Sequence, residues 1–472
     1  MFPCMLIAFF LTYFQYSLHA EAKASGPIRV HPLNPRFFVN GAGKAVYLSG
    51  HQIFVDLQDN TFNKQYIYDW QSTLDWSWYL QFVKKRNLNY IRNWTVLSTG
   101  SGSPSKPVVR PMPYKRVSGY GKANDGGLKF DLDQFDQTFF DQLRSRLVDA
   151  RDHGIHVSVM LFEVYSFGPG ENSLWEGNVF NGANNINGIH VDKNNDGWGT
   201  DFFYSPDQRI RDMQRAYVEK VIDTVNDLDN VIYEVVNELA DANWQYWIID
   251  VIKNYEASKP QQHLILMSPG GILENGSWHS MSKDAVVNSK ADVVAMLNDW
   301  GDFKGDPPEN DFGKPAIIDM DHLSPLRSGN NDPLLPWKAL LRGYHFSLYD
   351  QPFENPETES SRWELVRTNI GAAVRYANRL RDLSRMQACK NSASTPFCLA
   401  DSGSEYLLYQ ADPGSVTVDL SAGTYNYEWF NPSTGSVASR GTVTVGEGNN
   451  TFTPPFSGSA VLYLQSEVHV TR

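Results

Sequence analysis

Val231-Ile-Tyr-Glu-Val-Val-Asn-Glu238 is a short β-branched run that ends on two polar residues. A run of this length, bounded by polar residues, reads as a buried parallel strand rather than a helix. Immediately before it, Met213, Tyr217, Val221 and Val225 recur every fourth residue and mark an amphipathic helix. Ser205-Pro206-Asp207-Gln208 starts that helix, with Ser205 as N-cap, Pro206 at the first helical position and Gln208 closing a capping box.

The same alternation extends in both directions. Upstream runs are Ala45-Val-Tyr-Leu-Ser49, Leu88-Asn-Tyr-Ile-Arg92 and Ile155-His-Val-Ser-Val-Met-Leu-Phe162; downstream are His263-Leu-Ile-Leu-Met267, Ala291-Asp-Val-Val-Ala-Met296, Pro315-Ala-Ile-Ile-Asp319 and a weaker one at His345-Phe-Ser-Leu348. Phe135, Phe139, Leu143 and Leu147 form another helical stripe. Eight strands separated by helices predict an α/β fold, a (β/α)8 barrel. An open doubly wound sheet is the alternative, but no Gly-rich phosphate loop follows the first strand.

The pattern changes near residue 385. Glu405-Tyr-Leu-Leu-Tyr409, Val416-Thr-Val-Asp-Leu420, Tyr425-Asn-Tyr-Glu-Trp-Phe430, Gly441-Thr-Val-Thr-Val445 and Ala460-Val-Leu-Tyr-Leu464 are short alternating runs separated by turn clusters such as Asn431-Pro-Ser-Thr-Gly435. They predict a small all-β sandwich. The expected organisation is a signal peptide over 1–24, a barrel over 26–385 and a sandwich over 396–472. A chain of 472 residues accommodates that plan.

The formal net charge of −12 argues against nucleic acid and against anionic lipid as partners. Aromatic residues reach 13%, which suits either a large core or a sugar-binding surface. Met5-Leu-Ile-Ala-Phe-Phe-Leu-Thr-Tyr-Phe14 is an apolar signal-type core, followed by small residues at His19-Ala-Glu-Ala22 and lacking a basic n-region. The expected protein is therefore secreted or periplasmic, with no membrane insertion after signal removal. Cys4 would leave with the signal. Cys389 and Cys398 remain as a disulfide in an oxidising compartment, or as two free thiols. Asn93-Trp-Thr, Asn275-Gly-Ser and Asn449-Asn-Thr are glycosylation sequons.

Function in a barrel sits at the C-terminal ends of the strands. The fourth strand ends at Asn237 and Glu238, and the seventh at Asp319-Met-Asp-His322. Two carboxylates across one barrel mouth suit glycoside hydrolysis: one protonates the departing oxygen, the other stabilises or traps the sugar carbon. Asp319 and Asp321 lie two apart, on one face if the strand stays regular. His51 and Gln52 after the first strand, and Arg92, Asn93 and Trp94 after the second, are candidate sugar-lining residues. Asn237, His322 and a third carboxylate, Glu163, join them. Trp198, Trp244 and Trp300 are candidate stacking platforms or packing residues.

Val235-Val-Asn-Glu238 resembles the acid/base motif of clan A glycoside hydrolases, and Arg92 matches the arginine that clan keeps at its second strand. Asn184-Asn-Ile-Asn-Gly-Ile189, Val221-Ile-Asp-Thr-Val-Asn-Asp-Leu-Asp-Asn230, Asp319-Met-Asp-His322 and Trp337-Lys-Ala-Leu-Leu-Arg-Gly343 are similar to the apiosidase-like glycoside hydrolases, which often end in a β-sandwich of collagen-binding type. The resemblance spans roughly residues 30–470. It implies Glu238 as general acid/base and Asp321 as nucleophile, with Asp319 the alternative. The clan usually places Glu there. A side chain one methylene shorter leaves room for a water, so retaining and inverting outcomes both stay open.

No cofactor or metal is expected. Asp192-Lys-Asn-Asn-Asp-Gly197 begins like a calcium loop, but Phe203 stands where the bidentate Glu is required, so an Asx-rich turn is the simpler reading. No Gly-x-Ser-x-Gly elbow and no zinc-type His-Glu-x-x-His helix occur. The expected partner is a polysaccharide or oligosaccharide. The alternatives are a non-catalytic glycan- or matrix-binding protein on a barrel scaffold, and a lyase using a Tyr or His base.

Overall fold

The computed structural model of the chain describes residues 26–60, 74–100, 109–168, 174–274, 277–297, 300–323, 332–350 and 361–467. The expected signal segment lies outside them. Eight parallel strands close a barrel in chain order: β1 Ser49–Gln52, β2 Tyr90–Asn93, β3 His156–Glu163, β4 Val231–Asn237, β5 Leu264–Met267, β6 Val293–Ala295, β7 Ala316–Asp319 and β8 His345–Tyr349. β8 returns to β1, with Tyr349 opposite Gln52, so no strand edge is left open.

The first strand begins four residues later than its apolar run suggests. Ala45–Val46 pairs with Phe38–Val39 in a three-stranded antiparallel sheet instead. Ile28 and Phe38 of that region pack on Leu48, Tyr90, Ile232, Leu264, Val293 and Ile317, filling the N-terminal end of the barrel with apolar side chains. The open chemistry is therefore confined to the opposite, C-terminal end.

The main helices outside the strands are α1 Trp76–Lys85, α2 Gln137–Asp152, α3 Gln208–Val225, α4 Ala242–Glu256, α5 Lys283–Val287, α6 Leu335–Leu341 and α7 Ser361–Arg379. The α2 stripe buries Phe139, Leu143 and Leu147 as its spacing predicts. Phe135 precedes the N-cap Asp136, and its ring meets Phe140 at 5.4 Å as a hydrophobic staple. In α3 the cap is Asp207 rather than Ser205: its Oδ1 accepts the Ile210 N–H at 3.0 Å. A carboxylate caps as well as a hydroxyl and also gains from the helix dipole.

The C-terminal strands are β9 Gln387–Ala388, β10 Phe397–Asp401, β11 Glu405–Gln410, β12 Val416–Leu420, β13 Gly423–Asn431, β14 Ser436–Val445, β15 Gly448–Phe452 and β16 Ala460–Ser466. Six form one antiparallel sheet, ordered β9-β10-β11-β16-β13-β14, and β12 pairs with β15. The period-two alternation of β11 separates the two faces. Tyr406 and Leu408 meet Val416, Val418, Leu420 and Phe452 in the sandwich core. Leu407 and Tyr409 share a second core with Trp337, Ala373, Tyr376 and Leu380 of α6, α7 and the residue after it. β11 is thus buried on both faces, and one face is the seam with the barrel. Trp337 Nε1 donates to Asn369 Oδ1 at 2.7 Å, and Asn369 Nδ2 donates to the Pro432 carbonyl at 3.0 Å, which ties the seam by hydrogen bonds as well. Cys389 and Cys398 form a disulfide within the sandwich core.

Candidate active site

Arg92 organises the barrel mouth. Its side chain points into the lumen from β2 and is 1% exposed. Nε donates to Glu234 Oε2 at 2.8 Å, Nη2 to Glu234 Oε1 at 2.5 Å and to Asn237 Oδ1 at 2.6 Å. Nη1 donates to Gln52 Oε1 at 2.9 Å and lies 3.2 Å from Asp319 Oδ2 and 3.3 Å from Asp321 Oδ2. One guanidinium therefore joins β1, β4, β7 and the turn after β7. Burial alone works to lower the Arg92 pKa; the charges of Asp319, Glu234 and Asp321 more than reverse this and hold it well above its usual value.

Glu234, the fully buried partner of Arg92, is absent from the sequence-derived set. It sits in phase with Ile232, which belongs to the lumen core, whereas Tyr233 and Val235 pack with the helices. A carboxylate inside an apolar strand was the available signal, since a buried charge requires a counter-charge.

β7 ends at Asp319, and Met320–Leu323 is a helical turn. The regular strand that would put Asp319 and Asp321 on one face is therefore not formed. The turn nevertheless returns Asp321 to the mouth, where its N–H donates to Asp319 Oδ1 at 3.0 Å. Asp319 also accepts from Gln52 Nε2 at 2.5 Å and has a side chain only 4% exposed, against 13% for Asp321. Asp321 thus has the more open carboxylate. The His322 side chain lies outside the described residues.

Glu238 follows β4 and is exposed. Its φ of +61° puts a non-glycine residue in the left-handed region, a strain of the kind that collects at functional sites. Gly270 makes the turn possible: it bridges to Glu238, and a Cβ at Gly270 would sit 2.3 Å from the Glu238 carbonyl carbon. Glu163, ending β3, is 1% exposed and accepts the Ser166 N–H at 2.7 Å and the Ser166 hydroxyl. Burial pushes its pKa up to about 7; the Ser166 hydrogen bonds oppose the rise and the charge of Glu238 adds to it.

Other sequence candidates fall elsewhere. His51 points from β1 to the helix layer, where Nδ1 meets Tyr79 Oη at 2.9 Å and Nε2 meets Asp350 Oδ2 at 2.7 Å; Phe82 packs on its ring. Asp350 in turn accepts from Arg367 Nε and Nη2 at 2.7 and 2.8 Å. Because Gln52 faces the lumen, its neighbour His51 must face away. Asn93 is buried beside Asp56, so its sequon is closed to modification in the folded chain. Trp94 is buried against Arg92, 5.0 Å from ring centre to guanidinium, and its Nε1 donates to Gln52 Oε1 at 3.1 Å. It props the network instead of presenting a ring to solvent. Phe54 covers Trp94, and the exposed Tyr165 covers Phe54, with ring centres 5.4 and 5.6 Å apart. Trp244 is a core residue and Trp300 is partly buried, donating to the Met281 carbonyl; Trp198 is 46% exposed.

The Asp192 loop is a turn. Asp192 Oδ1 and Oδ2 each accept at 3.0 Å from the N–H groups of Asp196 and Gly197. Among the described residues no cluster of three or more His, Cys, Asp or Glu could hold a metal, and no helix is long and apolar enough to cross a membrane.

The family described as a domain of unknown function, DUF6298, matches residues 106–288. No curated protein matches the chain. Among solved structures, a Bacteroides vulgatus protein assigned provisionally to the glycoside hydrolases is 14% identical, with a TM-score of 0.59 over 93% of this chain and 82% of that one. A glycoside hydrolase family 5 protein from the same organism is 11% identical, with a TM-score of 0.54 and 93% of each chain covered. A third, described as a glycoside hydrolase, is 10% identical, with a TM-score of 0.53 over 94% of this chain and 97% of that one. At these identities the likeness is one of fold, and the fold is a closed parallel barrel carrying a C-terminal antiparallel sheet domain.

Proposed function

We propose that the chain is a secreted glycoside hydrolase that cleaves glycosidic bonds in a polysaccharide or oligosaccharide with two carboxylates. One observation carries the reading: the Arg92 guanidinium is bonded at once to Asn237, the neighbour of Glu238, and to Asp321. A single buried group thereby fixes a carboxylate-bearing turn on each side of the mouth. The solved proteins of similar fold are described as glycoside hydrolases, which supports the same class.

In this reading Glu238 donates its proton to the departing glycosidic oxygen. Asp321, which faces the Arg92 guanidinium, attacks the anomeric carbon to form a glycosyl ester, which water then hydrolyses with Glu238 acting as base. If the gap admits a water, Asp321 instead takes a proton from that water as it attacks, and the anomeric centre inverts. Asp319 and Gln52 hold Asp321 and Arg92 in place. Asn237 is positioned beside Glu238 to meet a sugar hydroxyl.

The test is hydrolysis of a panel of plant and microbial polysaccharides and aryl glycosides by the purified chain, with Glu238→Gln in parallel. Release of sugar that falls on the order of 10³-fold in the variant supports the reading. The configuration of the first-formed product, read by NMR, separates the retaining from the inverting route. Binding without release by either protein would replace the hydrolase with the glycan-binding protein, and an unsaturated product end would replace it with a lyase.

A further inference from the structure

The seam between the barrel and the sheet domain holds a second charged cavity. It is a half-open cleft of about 370 Å³ lined by Arg375, Tyr376 and Arg379 of α7, Glu428 of β13, Gly435, and Val437 and Arg440 of β14. α7 follows β8 and runs antiparallel to the strands, so its last turns lie at the end of the barrel away from the mouth. Glu428 is 3% exposed and fully engaged. Oε1 accepts from the Tyr376 hydroxyl and lies 2.8 Å from Arg379 Nη1; Oε2 accepts from Arg440 Nε at 2.5 Å. That arrangement neutralises one guanidinium equivalent. Arg375 makes no ion pair among the described residues and instead lies over the rings of Tyr376 and Phe430, at 5.6 and 5.5 Å. The cavity therefore holds three guanidinium groups against one carboxylate, in a chain whose formal net charge is −12.

Tying the seam together would require only the pairs around Glu428. It explains neither the open volume nor Arg375, an exposed cation backed by two aromatic rings. Guanidinium forks match carboxylate and sulfate oxygens in a bidentate geometry. The volume falls within the range of about 300–1,000 Å³ that holds small organic ligands and exceeds what a bare inorganic anion fills. Gly435 and Val437 leave an apolar, side-chain-poor wall on which a sugar ring can lie.

We infer that this seam cavity binds an anionic saccharide unit, a uronate or a sulfated sugar, through Arg375 and the outer guanidinium edges of Arg379 and Arg440. The choice of a saccharide over another organic anion rests on the proposed hydrolase function. The site would hold an acidic glycan on the side of the molecule away from the reacting carboxylates and so would act as an anchor.

The experiment is titration calorimetry on the full chain carrying Glu238→Gln, which silences turnover. The probes are an oligogalacturonide, a sulfated oligosaccharide, a neutral oligosaccharide and inorganic sulfate. The expected result is salt-sensitive binding of at least one acidic oligosaccharide, weakened about tenfold or more by Arg375→Glu through loss of a charge-assisted hydrogen bond. Arg375→Gln should weaken it in the same direction without adding an acid beside Glu428, and circular dichroism reports whether each variant folds. The inference is overturned if acidic and neutral oligosaccharides bind alike, if folded Arg375 variants bind as before, or if inorganic sulfate binds as tightly as the oligosaccharides. Because affinity is the readout, failure of the hydrolase reading would show separately, as absent turnover by the parent protein with acidic-glycan binding by the variant intact.

Discussion

Replacing Glu163 by Gln is expected to stabilise the protein in alkali and not in acid. The carboxyl closes β3, 1% exposed, with both oxygens engaged by Ser166. Burial raises its pKa from 4.5 to about 7, so the folded state holds the proton more tightly than the unfolded chain. Below pH 4.5 both states are protonated and no penalty arises. Between pH 4.5 and about 7 the unfolded chain releases the proton first, and stability falls as pH rises. At 1.36 kcal/mol for each pH unit, the full penalty above pH 7 is about 3 kcal/mol. Gln carries no charge. Its oxygen accepts the Ser166 N–H and its amide donates to the Ser166 hydroxyl, which reverses its role at a cost of about 1 kcal/mol or less. Urea unfolding of both proteins from pH 4 to 8 should therefore show a difference that grows in favour of Glu163→Gln by about 3 kcal/mol across the series. His156, buried with its pKa lowered to about 4, contributes the opposite slope between pH 4 and 6.5, but it is common to both proteins and cancels. A difference that stays constant with pH, or a variant less stable at pH 8, would refute the argument.

Three further outcomes follow from the geometry. Arg92→Met leaves Glu234, Asp319 and Asp321 without their shared cation and should cost about 3–5 kcal/mol; the double variant with Glu234→Met should lose less than the two single losses added, as urea unfolding will show. Gly270→Ala forces a methyl group to within 2.3 Å of the Glu238 carbonyl carbon. Since that contact is with backbone, it should destabilise by about 1–3 kcal/mol and lower kcat by displacing the Glu238 turn, with calorimetry and steady-state kinetics as the two readouts. Cys389→Ser opens a nine-residue loop and should lower stability by about 2–3 kcal/mol under oxidising conditions only, because reductant brings the parent protein to the same state.

Most of the barrel strands were legible because they fall in short apolar runs, several rich in β-branched residues, in a chain otherwise punctuated by polar residues. Their ends were less so. Ala45-Val-Tyr-Leu-Ser49 is continuous in composition, yet its first two residues pair in the small antiparallel sheet and the barrel begins at Ser49. Nothing local marks the change of partner, which the plug at the barrel's N-terminal end imposes. That shift moved the site reading as well. With β1 spanning Ser49–Gln52, Gln52 turns to Arg92 and His51 turns to Tyr79 and Asp350. Strand periodicity lets only one of two neighbours face the lumen, and because β1 runs through Gln52 instead of ending at Ser49, His51 and Gln52 are strand neighbours and cannot both line the site.

Charge accounting carries the rest. Arg92, Asn237, Asp319 and Asp321 were each recognisable from their places at strand ends, and the structure draws them onto one guanidinium. Glu234 was visible in the same eight residues as Glu238 but was read as part of an apolar strand. A carboxylate at that depth must either stay neutral or face a cation from the lumen side of a neighbouring strand. Of the other strand runs in the barrel, only the second carries an arginine in its sequence, at Arg92. The pairing of Glu234 with Arg92 thus follows from burial and electroneutrality in the sequence itself. The pairing of Asp350 with Arg367 does not, because it joins a strand end to a helix 17 residues on, in the outer layer, where several partners would serve equally well.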